Sequence, residues 1–195
     1  MTIFFSADFH LGHKNIIKHC NRPFDSVEQM DACIIENVNR KVQEKDTLYF
    51  LGDFCYRNSL ISIKEYRNQI KCKNIIFIRG NHDNLKPEDH ELFKGVYDLY
   101  ELKTQDKDNQ KLSVILCHYA MRTWNKSHRG SFSLYGHSHG TLPDDHKSKS
   151  MDVGIDAVKV YHRNLDLYRS SYAPISLRDI ESILAFKGNT NANIS

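Results

Sequence analysis

Three apolar runs, each broken off abruptly by polar residues, constrain the fold more than any other feature of the sequence. Ile3 to Ala7 ends in Asp8 and His10, Thr47 to Leu51 ends in Gly52-Asp53, and Ile75 to Ile78 ends in Arg79, Gly80, Asn81 and His82. Runs that are apolar on both faces belong inside a sheet covered on both sides. Between the first two lies a helical pattern. Ser26, with Gln29 three residues on, reads as a capping box, and Val27, Met30, Ile34, Val38 and Val42 recur along one stripe. Glu28, Glu36 and Arg40 fall on the opposite, solvated face. Leu60 to Ile70, with Ile63 and Tyr66, is expected to form a second helix. Together these segments read as βαβαβ, with polar residues at the carboxyl ends of the strands, where open α/β sheets place their ligands.

After about residue 95 the pattern changes to strands: Tyr97 to Leu102, Leu112 to Cys117, Ser131 to Tyr135, Ser150 to Gly154 and Ala157 to Tyr161, with a turn over Asp106 to Asn109. Leu165 to Tyr168 is expected to pair with the last of these through Arg163-Asn164. Ser176 and Asp179 announce a closing helix, and residues 188–195 read as a frayed tail. The 195 residues suffice for one hydrophobic core. No repeat or linker divides them, so residues 1–195 are expected to form a single domain.

With 27 Lys and Arg against 24 Asp and Glu, the charge of +3 permits an anionic substrate without arguing for a long polyanion. The five cysteines are odd in number and form no CxxC pair, which favours a reducing, cytoplasmic setting. Cys20, Cys55 and Cys117 are expected to be small buried hydrophobes rather than thiolate nucleophiles. The apolar start Met1 to Phe5 lacks the basic opening of a signal peptide and runs at once into Asp8, His10 and His13. No apolar run approaches the ~20 residues of a membrane span, so no membrane partner is expected.

The polar strand ends form a set of their own. Asp8 and His10 stand at i and i+2, a spacing that in a strand points both side chains the same way. Asp53 can bridge two ions through its two oxygens. Asn81 adds an amide oxygen, His118 an imidazole after another strand, and His137 and His139 repeat the i, i+2 spacing. Taken singly, Asp8 could cap a helix and Gly80-Asn81 could be a turn, but the residues recur at one structural place. Mixed O and N ligands suit Mn²⁺, Fe²⁺, Zn²⁺ or Co²⁺ better than an all-oxygen Mg²⁺ or Ca²⁺ site. Two such ions can activate a hydroxide and neutralise a phosphate's charge.

In these blocks the sequence resembles the calcineurin-like metallophosphoesterases, particularly the small single-domain bacterial and phage proteins. The family pattern D-x-H, G-D, G-N-H-[DE], H, G-H-x-H appears in order as Asp8-Phe9-His10, Gly52-Asp53, Gly80-Asn81-His82-Asp83, His118 and Gly136-His137-Ser138-His139. The resemblance implies an α/β fold, a four-layer α/β/β/α sandwich with two packed mixed β-sheets. It implies two divalent metal ions (Mn, Fe, Zn, Ni or Co, with Mn favoured). Asp8, His10 and His139 would hold the first, Asp53 would bridge, and Asn81, His118 and His137 would complete the second. His82 would assist the leaving oxygen, with Asp83 holding its ring. Cleavage of a P–O bond needs a proton donor, and a histidine kept cationic by a carboxylate suits that task. The subgroup pattern leads one to expect Asn-Val-Gly-Val-Asp where this chain has Met151-Asp152-Val153-Gly154-Ile155-Asp156. Arg163 to Tyr172 reads as an added hairpin.

The expected activity is metal-dependent hydrolysis of a phosphate ester, with a phosphodiesterase acting on a nucleotide or a nucleic-acid end favoured. The alternatives are a phosphomonoesterase or protein phosphatase, and a non-catalytic binding protein that kept the fold. Arg22, Arg129 or Arg122 could fork a phosphate oxygen. Trp124 could stack on a base, and His128 shares its loop. Against this, Arg22 before Pro23 could simply brace a loop, Trp124 could fill a core edge, and Tyr119 could be packing. Either a monomer or a homodimer fits the sequence.

Overall fold

Strands form where the apolar runs stand. β1 (Ile3–Ser6), β2 (Thr47–Phe50) and β3 (Asn74–Ile78) pair in parallel, each beside its predecessor. The computed structural model describes residues 1–143, 145, 147–159 and 171–189. Alternation along these strands divides their side chains between two cores. Phe4, Leu48, Phe50, Ile75 and Phe77 face α2 (Val27–Lys41), whose Met30, Ile34 and Val38 are fully buried against them, while Phe5, Tyr49, Leu51 and Ile78 face the second sheet. Each such side chain contributes about 1.5–3 kcal/mol by leaving water.

α2 begins as expected, with Ser26 Oγ accepting from Gln29 N at 3.2 Å. The reciprocal half of the cap differs, because Gln29 Oε1 accepts from Asp25 N, one residue earlier than a capping box would have it. The second helix is shorter than its apolar pattern. α1 (Lys14–His19) precedes α2, and α3 covers only Ile63–Asn68, where Ser62 and Glu65 form a full capping box that fixes the start and leaves Leu60 and Ile61 exposed.

The stretch Tyr97 to Leu102 is two strands, not one. β4 (Gly95–Tyr97) pairs with β3 at the edge of the first sheet, and β5 (Leu99–Gln105) opens the second. Asp98 lies at the crossing, bonded to Arg79 through both its oxygens at 2.8 Å. β6 (Lys111–Cys117) runs antiparallel to β5 around the expected turn, then β7 (Phe132–Tyr135) and β8 (Ser150–Asp152) add in parallel. Ala157 and Val158, expected to open a strand running to Tyr161, are helical instead. α4 (Ile155–Val158) occupies that place, with the N–H groups of Ala157 and Val158 bonded to the Gly154 carbonyl. Residues 160 and 161, most of the expected hairpin from 163 to 172 and the expected strand at 165–168 lie outside the described residues.

β9 (Ile175–Ser176) joins β1 antiparallel, and α5 (Leu177–Asn189) follows, with Leu177, Ile180 and Leu184 closing the core between the sheets. The helix runs into the expected tail as far as Asn189. Two mixed sheets, ordered β4-β3-β2-β1-β9 and β5-β6-β7-β8, thus pack face to face with flanking helices. No helix among the described residues is long and apolar enough to cross a membrane.

Ile34 sits in the middle of this packing. Ile34→Ala is expected to destabilise the fold by about 2–5 kcal/mol, read as a lower urea midpoint at unchanged slope. A loss below 1 kcal/mol would contradict the packing of α2 on the first sheet.

Candidate metal centre

The site forms where the parallel strands stop. The chain after β1 and the chain after β2 continue side by side, Asp8 N donating to Gly52 O at 2.9 Å, His10 N to Asp53 O at 3.0 Å and Leu11 N to Phe54 O at 3.1 Å. Asp8, His10, Asp53, His137 and His139 all have positive φ, between 47° and 66°. Such left-handed backbone costs roughly 1–2 kcal/mol per residue, and Asp and His tolerate it better than most residues. The convergence of Asp8 and His10 therefore differs in origin from the expected alternation, since both lie beyond β1 and are turned by the loop. Gly52, at φ 90°, must be glycine for space as well, because a Cβ there would lie 2.6 Å from both Gly80 N and His118 Nδ1.

Side chains brace these loops. Asp31 on α2 accepts from Gly12 N at 3.1 and 3.0 Å and from the Tyr66 hydroxyl at 2.7 Å. Asp83 was expected to hold the His82 ring. Its carboxylate instead accepts three main-chain N–H groups, from Asp53 at 2.8 Å, Phe54 at 3.0 Å and Gly80 at 2.7 Å, tying the β2 and β3 loops together. His82 is positioned through its backbone, which donates to Asp53 Oδ1 at 2.9 Å, and its exposed ring stands 5.3 Å from that of His10.

Two clusters result. Asp8, His10 and His139 form one set able to hold a metal ion, and Asp53, His118 and His137 another, with one ligand atom per residue lying within 4.8 Å of the others in each set. Asp53 Oδ2 stands 3.5 Å from Nε2 of both His10 and His118, between the two sets. Asn81 Oδ1 is 3.1 Å from His118 Nε2, while His118 Nδ1 faces the Leu51 carbonyl at 2.7 Å. All seven expected ligands are thus brought together. Both ring nitrogens of His10 are buried without a hydrogen-bond partner, an arrangement costly for a polar ring in a dry site and suited to an imidazole that ligates a cation. The donor set fits a pair of divalent ions.

The electrostatics point the same way. Burial, with Asp152 and Asp53 nearby, pushes the Asp8 carboxyl up to about 7, although His139 and His118 oppose it. Burial drives His10 down to about 3. Burial also disfavours charge on His139, but its bond to Asp156 and its neighbours Cys20 and Asp8 outweigh that and raise it to about 10. For Asp53, burial is outweighed by His118, His10 and the His82 N–H, which hold it down to about 2.

Of the expected substrate contacts, Arg22 is turned into the protein. Arg22 is 4% exposed, and its guanidinium is bonded to Asp156, to the Asp8 carbonyl at 2.7 Å and to the Phe9 carbonyl at 2.8 Å. It braces the loop and offers nothing to a substrate. Trp124 is half-buried with its indole N–H bonded to the Ser131 carbonyl, and His128 is exposed on the same loop. Arg129 lines a cavity of about 790 Å³ with Lys103, Lys111 and Lys126. That cavity lies toward the start of β6, about 20 Å of strand from His118 at the other end. Cys20, Cys55 and Cys117 are half-buried, not buried, and Cys20 Sγ lies 3.3 Å from His139 Nδ1. Burial raises the Cys55 thiol to about 12, which removes it as a nucleophile. Asp156 is a site residue outside the expected set: its Oδ2 lies 2.8 Å from His139 Nδ1.

Residues 1–168 match the family model described as calcineurin-like phosphoesterase. An uncharacterized protein of Methanocaldococcus jannaschii is 32% identical over 173 residues, covering 85% of this chain and 88% of its own. The gene 66 protein of Mycobacterium phage L5 is 26% identical over 185 residues, covering 78% and 86%. Among solved structures, a protein of unknown function from Aquifex aeolicus superposes with a TM-score of 0.65 at 21% identity, over 93% of this chain and 98% of that one.

Loading the centre is expected to release protons. An ion at the first cluster needs Asp8 ionised and His139 neutral, whereas the metal-free protein holds a proton on His139 at neutral pH and on Asp8 below pH 7. Calorimetric titration of metal-stripped protein at pH 7 in buffers of different ionisation enthalpy should show roughly one to two protons released, with affinity falling as pH drops below 7. Heats independent of the buffer would refute it.

Proposed function

From the premise that the chain belongs to the calcineurin-like phosphoesterase family and carries a dinuclear, metal-dependent hydrolase site, we propose that it cleaves phosphodiesters, with a nucleotide or a nucleic-acid end as substrate. In this reading Asp8, His10 and His139 hold one ion, Asn81, His118 and His137 the other, and Asp53 lies between them. When bound, the ions supply Lewis acidity toward the phosphate and a nucleophile available at neutral pH. The mixed imidazole and carboxylate set supports manganese among the candidates, and five free cysteines support a cytoplasmic setting.

The remaining chemistry falls to the protein. His82, exposed beside His10 and fixed through its N–H on Asp53, donates a ring proton to the departing ester oxygen. Asp83 acts as a positioning residue, keeping the His82 loop registered on the Asp53 loop. The observation that carries the nucleotide preference is Tyr119. It is 47% exposed, and its ring packs edge-on against His118 at 5.1 Å and His137 at 4.8 Å. An exposed aromatic face held beside the second ion offers a stacking platform for a base.

Metal-stripped protein reloaded with Mn²⁺ is expected to hydrolyse bis-p-nitrophenyl phosphate faster than p-nitrophenyl phosphate. His82→Ala should lower kcat by about 10²–10⁴-fold, and Tyr119→Ala should raise KM for nucleotide diesters more than for a methyl-bearing diester. Preference for the monoester would overturn the diester reading, and equal KM changes would overturn the stacking role.

A further inference from the structure

The cluster of Asp8, His10 and His139 leans on a buried ion pair that lies outside the ligand set. Arg22 meets Asp156 twice, Nε to Oδ1 at 3.1 Å and Nη2 to Oδ2 at 2.7 Å, with both side chains essentially closed to solvent. The same Oδ2 lies 2.8 Å from His139 Nδ1. The rest of the guanidinium binds the carbonyls of Asp8 and Phe9. One planar group therefore joins the backbone that carries Asp8 and His10 to the carboxylate that faces His139.

We propose that Asp156, clamped by Arg22, is the positioning residue that presents His139 to the first ion through Nε2. The inference rests on the reading that Asp8, His10 and His139 hold that ion. A histidine ligates with one ring nitrogen, and a carboxylate on the other sets both its tautomer and its orientation. Asp156 takes Nδ1, which leaves Nε2 for the ion.

The pair also decides between two sides of one imidazole. Cys20 Sγ lies 3.3 Å from Nδ1, and Cys20, His139 and Asp156 offer a second set of ligand atoms within 4.8 Å of one another. A divalent ion on that side would meet the Arg22 cation on the same carboxylate, an unfavourable contact at short range. Arg22 thus reserves Asp156 for His139 and turns the imidazole toward Asp8. Lysine could not replace it, because the fork occupies two carboxylate oxygens and two carbonyls at once.

The test uses the whole chain. In zinc-loaded wild-type protein, long-range proton–nitrogen NMR of the histidine rings should show His139 protonated at Nδ1 and bound to metal at Nε2. Ligation through Nδ1 overturns the proposal. Asp156→Asn keeps the volume and removes the carboxylate charge that faces both Arg22 and Nδ1. Metal titration of stripped protein should then show one site weakened on the order of 10–100-fold and the other unchanged. In Arg22→Met, cobalt should reach the Cys20 side and give a thiolate charge-transfer band that a further Cys20→Ser removes. Should Asp156→Asn bind both ions as tightly as wild type, the positioning role fails while the two-ion reading stands. Should Asp8→Asn also leave both ions untouched, or wild type bind no ion, the underlying reading fails with it. If a variant does not fold, the NMR tautomer in the wild type decides alone.

Discussion

Burial of carboxylates at one end of the sandwich is the constraint on which the rest of the structure depends. Asp8, Asp53 and Asp156 are all under 5% exposed, and an ionised carboxylate out of water is costly unless it is paired. The chain offsets that cost unequally. Asp156 has a guanidinium, and Asp53 has two imidazoles and a backbone N–H. Asp8 accepts only the His137 N–H among its described bonds, and it alone of the three is pushed upward, to about 7. The least compensated acid is thus the one facing His10, whose buried ring nitrogens make no hydrogen bond. Both deficits are of the kind that a bound cation removes.

The parallel sheet makes that arrangement attainable. Because β1, β2 and β3 run the same way, their carboxyl ends stand in one row, and the loops leaving them pack on one another. Left-handed backbone then redirects five of the site side chains at a cost that a rigid surrounding must hold. Asp83 and Asp31 supply part of that surrounding through bonds to backbone N–H groups, and Arg22 supplies more through carbonyls. Polar groups beside the site therefore act largely as scaffolding.

The fold and the candidate ligands were legible in the sequence for different reasons. Apolar runs such as Thr47 to Leu51 mark strands because burial on both faces leaves a compositional trace, and the ligand blocks stand in short, spaced motifs. The boundary at Asp98 left no comparable trace, since Tyr97 and Leu99 read as one continuous run although they belong to different sheets. Gly154 was visible, but its use as a helix start over Ile155–Val158 depends on tertiary context. Arg22 stayed open between substrate contact and loop brace because its partner Asp156 lies 134 positions away. Nothing local distinguishes an arginine that grips a phosphate from one that grips a carboxylate in the core. For Asp83 the resemblance implied a hold on the His82 ring, whereas its bonds go to main-chain N–H groups.

The placement of β9 bears on how the chain is made. Among the described residues, β1 gains its second neighbour from Ile175 and Ser176, through an antiparallel pairing of two residues. As the polypeptide leaves the ribosome, the parallel half can assemble early, yet the outer side of Ile3–Ser6 remains an open edge until Ile175 and Ser176 have emerged. Open edges recruit strands from other molecules, and pairings between distant segments form slowly. The nascent protein therefore carries this open edge until β9 is made, and the short strand preceding α5 is what covers it.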